Sequence, residues 1–67
     1  MEIGTKVLAT KMAQDSFYKQ VAGTVEYVRN GYVGIRATMV MSKWDKKLQP
    51  HPTSCLTAAR IQDVVAL

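Results

Sequence analysis

Apolar and polar residues alternate with a period of two along much of the chain, the signature of strands covered on one face. The clearest stretch runs from Gly23 to Ala37, where two alternating runs flank Asn30-Gly31. That dipeptide accepts positive φ cheaply, as the tight turns that preserve strand twist require, so the stretch reads as a β-hairpin. Its first strand runs from Gln20 to Val28, with Val21, Gly23, Val25 and Tyr27 on one face. Its second runs from Tyr32 to Val40, with Val33, Ile35 and Ala37 facing one way. Gly23 marks a bulge or bend, and Gly34 suits a crowded or bent position.

The remaining elements wrap onto this hairpin. Glu2 to Lys11 holds a first strand with Thr5, Val7 and Ala9 on the covered face, and Leu8 is out of place on the other. Met12 to Lys19 lacks a helical apolar stripe and reads as a long loop, although Ala13 to Gln20 tolerates a helical turn. Met41 to Gln49 is charged and runs into Pro50-His51-Pro52, whose prolines discourage both helix and central strand, so a loop is expected there. Thr53 to Leu56 makes a short fourth strand, Thr57 to Arg60 a tight turn, and Ile61 to Val65 a fifth strand. A helix from Thr57 to Val65 competes with that ending. The β-branched residues at its close favour turn and strand. Five short strands divided by turn signals predict an all-β fold, a small five-stranded barrel in one domain over residues 1–67, with a short helical turn before the last strand. Closure would remove sticky sheet edges.

Size limits what such a barrel can do. A chain of 67 residues buries only about 60% of the surface its unfolded form exposes. Small scaffolds often add a disulfide, a metal or a partner chain. Cys55 is the single cysteine and His51 the single histidine, too few for a disulfide or a zinc site. A tight all-β core, a homo-oligomer, or a place within a larger complex remains. One cysteine and no cleavable signal lead us to expect a cytoplasmic, reducing compartment. No run approaches the roughly 18 apolar residues of a membrane span.

With the strand order in view, the chain resembles an SH3-like barrel of the KOW and Tudor kind. Ile3-Gly4-Thr5-Lys6-Val7 resembles the first strand of such domains, and Gly23 to Val28 followed by Val33-Gly34-Ile35 resembles their hairpin. Thr57 to Ile61 resembles the turn into their last strand. These motifs encode the barrel and not a function. Phe17-Tyr18-Lys19, Gly23-Thr24-Val25, Trp44-Asp45-Lys46 and the ending from Cys55 to Val64 also look similar to the SH3-like subunit S of the photosynthetic NADH-dehydrogenase-like complex. The family role of that subunit, docking acidic ferredoxin, is what this resemblance implies. The chain departs from it by the insertion from Lys47 to Pro52 and by a poorly matching third strand.

No catalytic constellation stands out. His51 and Cys55 lack a paired acid, and Asp15, Asp45 and Asp63 are scattered, so neither nucleophilic nor acid–base chemistry is indicated. SH3-like barrels include an oligomeric, plasmid-type dihydrofolate reductase, but no motif here supports that activity. No enzyme activity, cofactor or metal is expected.

Binding chemistry is better represented. In SH3-like barrels the loop after the first strand lies beside the loop after the third, which would bring Phe17 and Tyr18 near Trp44. Nine Lys and Arg against five Asp and Glu give a formal charge of +4, with a pI near 9.5, a bias toward anionic partners. The candidate partner-binding residues are Tyr18, Lys19, Arg29, Lys43, Trp44, Lys46 and Lys47. Basic groups interleaved with aromatics suit nucleic acid, where phosphates meet the charge and bases meet the rings. They suit an acidic protein surface as well. Met39 to Met41 and Val64 to Leu67 are expected either to fill the barrel or to contact a protein.

Overall fold

The computed structural model describes residues 1–13 and 17–67. It is all-β: β1 (Lys6–Ala9), β2 (Tyr18–Arg29), β3 (Tyr32–Ser42), β4 (Gln49–Arg60), a 3-10 turn at Ile61–Asp63, and β5 (Val64–Ala66). The strands form one antiparallel sheet in the order β4-β3-β2-β1-β5, compatible with an SH3-like barrel. β4 and β5 sit at the two ends of this ladder. Loop bonds tie the flanks together instead: Ala13 N–H donates to the Ala58 carbonyl (3.2 Å) and Thr10 N–H to that of Asp63 (2.9 Å). No helix is long and apolar enough to cross a membrane among the described residues.

The hairpin turn forms as the sequence predicts, but a register shift between Val25 and Tyr27 pairs Tyr27 with Gly34 and moves it off the face that Val25 shares with Ile35. Arg29 pairs with Tyr32, and the two residues between them, Asn30 (φ 52°) and Gly31 (φ 80°), both take the positive φ of a type I′ turn. The alternation translates directly into burial. Val7, Ala9, Val21, Val33, Ile35 and Ala37 are fully buried and Val25 nearly so, all on the faces assigned from the pattern. The core is built from small residues, with Ile35 its largest fully enclosed side chain. The expected bulge at Gly23 is present as a register shift between Ala22 and Gly23.

Three boundaries differ from expectation. Tyr18 and Lys19 open β2 instead of ending the preceding loop, and Met41 lies in β3. The second difference concerns Pro50-His51-Pro52, placed in a loop on sequence grounds but found within β4. β4 has a neighbour on one side only, and a sheet edge tolerates proline because its missing N–H faces away from the ladder. The register there passes from Ala37–Cys55 to Met39–Pro50, so residues 51–54 bulge outward against Thr38 alone. The third is at the end of the chain. Thr57 to Arg60 is strand, pairing with Ile35 to Tyr32, and the turn falls instead at Ile61–Asp63, which rules out the competing helix and shortens the last strand. Ala58 and Ala59 are weak strand formers, yet Ala59 is fully buried opposite Val33; packing overrides propensity here. The helical turn considered at Ala13 to Gln20 falls partly on residues 14–16, outside the described residues.

The outer face of the sheet carries an apolar row. Val65 pairs with Leu8, Leu8 with Ala22, Ala22 with Met39, and Met39 with Pro50. Leu8 lies between the buried Val7 and Ala9, so this row points away from the core. The residue that looked out of place in the first strand thus has apolar neighbours across all five strands.

Candidate functional site

The start of β2 and the end of β3 are neighbours, since Tyr18 pairs with Ser42. That pairing carries the loops on either side of it into contact. Ser42 to Asp45 is a tight turn in which Asp45 N–H donates to the Ser42 carbonyl (3.1 Å). The Asp45 carboxylate answers by accepting from Ser42 N–H (3.0 Å) and Ser42 Oγ (2.9 Å). These bonds, with a contribution from the Lys19 charge, hold the Asp45 carboxyl below its ordinary range. Trp44 is the third residue of this braced turn and projects outward, 79% exposed.

Phe17 approaches it from the other loop. The Phe17 and Trp44 rings lie 6.3 Å apart between centroids and are tilted by 57°. Phe17 also meets Tyr18 edge to face at 5.4 Å and 89°, and Tyr18 meets His51 likewise at 6.2 Å and 83°. A strip Trp44–Phe17–Tyr18–His51 results. Its inner end is anchored, because Tyr18 packs against the core. Its outer end is open, because Phe17 remains 62% exposed. Large apolar rings so exposed in so small a domain are an unusual use of its few aromatics.

Lys43, Lys46 and Lys47 are exposed in the loop that carries Trp44, and exposed Lys19 adjoins Tyr18. Lys19 falls between the pairs Tyr18–Ser42 and Gln20–Met41, at a register shift. Six of the seven predicted residues therefore gather on the adjoining ends of β2 and β3 and the loop that follows. Arg29 does not. It stands at the opposite end of β2, with its guanidinium 5.7 Å from the Tyr27 ring. Arg36 is also engaged, forming an ion pair with Glu26 at 2.8 Å.

Two residues enlarge the predicted set. Phe17 was legible as one of the two loop aromatics, but its direct contact with Trp44 depends on strand register. His51, expected in a loop, lies instead in β4 and against Tyr18, with its Nδ1 beside the Thr53 backbone N–H and carbonyl. Among the described residues no group of three or more His, Cys, Asp or Glu is placed to hold a metal. Shallow grooves of about 210 Å³, beside Lys11 and Arg60, and about 260 Å³, beside Lys6 and Met39, also occur.

Fold and surface together define a small all-β domain that presents an open ring cluster, with exposed lysines on the segments that carry Tyr18 and Trp44. Comparison with protein-family models, curated proteins and solved structures gives no match for this chain.

Proposed function

We propose that the domain is a non-catalytic binding module that takes nucleic acid on the surface formed by Phe17, Tyr18, Trp44, Lys19, Lys43, Lys46 and Lys47. The observation that carries this reading is the exposed Phe17–Trp44 pair, with exposed Lys43, Lys46 and Lys47 in the same loop as Trp44 and exposed Lys19 beside Tyr18. Lysines supply phosphate contacts whose strength falls as salt rises, and the rings supply faces on which any base can stack. A cationic ligand suits the same rings less well. Asp45, one residue after Trp44, already accepts two hydrogen bonds from Ser42, while four lysines repel a positive guest.

The test is equilibrium binding of labelled RNA and DNA at low salt, followed by fluorescence anisotropy. Affinity is expected to fall steeply with added salt, and Trp44→Ala to weaken binding by about tenfold or more without unfolding the protein. No detectable binding to single- or double-stranded probes would overturn the reading.

A second reading, docking of an acidic protein as an adaptor or complex subunit, is favoured by one observation: the apolar row ends on β5, where Val65 is 48% and neighbouring Leu67 76% exposed. The resemblance to the ferredoxin-docking subunit S points the same way. Affinity purification with and without nuclease separates the two, since only a protein partner would survive nuclease treatment.

A further inference from the structure

The geometry of the ring pair points to a narrower ligand, and resting on the nucleic-acid reading above, we propose that the site takes an unpaired base between Phe17 and Trp44 and so selects single strands over duplex. Stacked bases are separated by about 3.4 Å, so a base held between two ring faces needs about 7 Å between them. The two centroids already stand 6.3 Å apart. Their 57° tilt leaves a wedge instead of a closed stack, and the rings must reorient by about that angle before their faces are parallel.

The exposure of both rings leaves room for that reorientation. Both stay mostly exposed while in contact, so they gain little from each other and give up little on parting. Trp44 projects from a turn whose backbone is braced by Ser42 and Asp45, so its side chain can turn while its anchor holds still. Phe17 is backed by the edge-to-face contact with Tyr18, itself packed on the core. The wedge thus has two well-placed walls and a movable opening. A duplex hides its base faces within the stack and offers this wedge nothing but phosphates. A single strand offers a base face together with flanking phosphates for Lys19, Lys43, Lys46 and Lys47.

Trp44 is the only tryptophan in the chain, so its emission reports on the wedge alone. The experiment titrates the full chain at low salt with a single-stranded oligonucleotide of about a dozen nucleotides, its duplex form, and inorganic polyphosphate. The proposal expects strong quenching by the single strand and little by duplex or polyphosphate. Phe17→Ala should weaken single-strand binding about ten- to a hundredfold and any duplex binding by much less. Phe17→Tyr, which keeps a ring face, should restore it. Both variants alter an exposed residue, and circular dichroism verifies their fold. Equal affinity for duplex and single strand without quenching, or an unaffected Phe17→Ala, overturns the wedge while leaving nucleic-acid binding intact. Failure of every nucleic-acid probe to bind overturns both.

Discussion

Gly23→Ala probes how tightly the two strands of the hairpin are pressed together. A methyl group at position 23 would lie 2.8 Å from Ala37 Cα and from the Arg36 carbonyl carbon, and closer still to the Arg36 oxygen. Carbon atoms pack comfortably at about 3.5–4.0 Å. Those obstructing atoms are backbone, and β3 is held between β2 and β4, so they cannot swing aside. In an open strand position the same substitution would stabilise by about 0.4–1 kcal/mol through the unfolded chain. Here overpacking reverses the sign, and a backbone clash belongs near the upper end of the usual 1–3 kcal/mol range. A domain of this size has about 3–10 kcal/mol in total. A loss of about 3 kcal/mol would therefore lower Tm by about 12–24 °C. Gly34→Ala is the control. The three atoms nearest its methyl group all belong to the ring of Tyr27, a side chain and not backbone, so the cost should be about 1–2 kcal/mol. Thermal and urea unfolding followed by far-ultraviolet circular dichroism measures both. Gly23→Ala melting with the wild type, or Gly34→Ala proving the more damaging, would refute the close approach at the Gly23 bulge.

Other outcomes follow from the site. Asp45 has a carboxyl whose pKa is lowered in the folded chain, so its support of the Trp44 turn is complete above the ordinary carboxylate range. That support is lost as pH falls through the lowered value. Trp44 emission should change in that acidic window, and Asp45→Asn should abolish the transition; an unaltered transition in the variant would count against the bond to Ser42. Replacing Lys46 and Lys47 together with alanine should flatten the slope of log affinity against log salt by about 1.4, if each lysine meets one phosphate of a single strand. An unchanged slope would move the phosphate path elsewhere.

The parts of this molecule legible in the sequence are those governed by local rules. Asn30-Gly31 specifies its turn because positive φ is a property of those two residues, and alternation marks Val33, Ile35 and Ala37 because a strand has only two faces. What escaped depends on neighbours distant in sequence. Proline in β4 is acceptable because that strand has an open side, a fact of sheet order. Ala58 and Ala59 look like turn residues until Gly34 and Val33 stand opposite them. The site divides in the same way. Exposure of Trp44 is foreshadowed by its charged neighbours, whereas the seating of His51 against Tyr18 arises from a bulge that no local pattern announces. Arg29 was grouped with the lysines by charge, yet a strand twelve residues long carries it to the far end of the sheet.

The central claim is that one end of the sheet, where β2 begins and β3 ends, is the nucleic-acid surface. Mapping amide and indole chemical shifts of the labelled protein by NMR, during titration with a single-stranded oligonucleotide, tests it directly. The largest changes should cluster at Phe17, Tyr18, Lys19, Lys43, Lys46, Lys47 and the Trp44 indole, while Arg29 to Tyr32 at the opposite end stays still. Changes centred on that hairpin tip, or on Leu8, Val65 and Leu67, would contradict it.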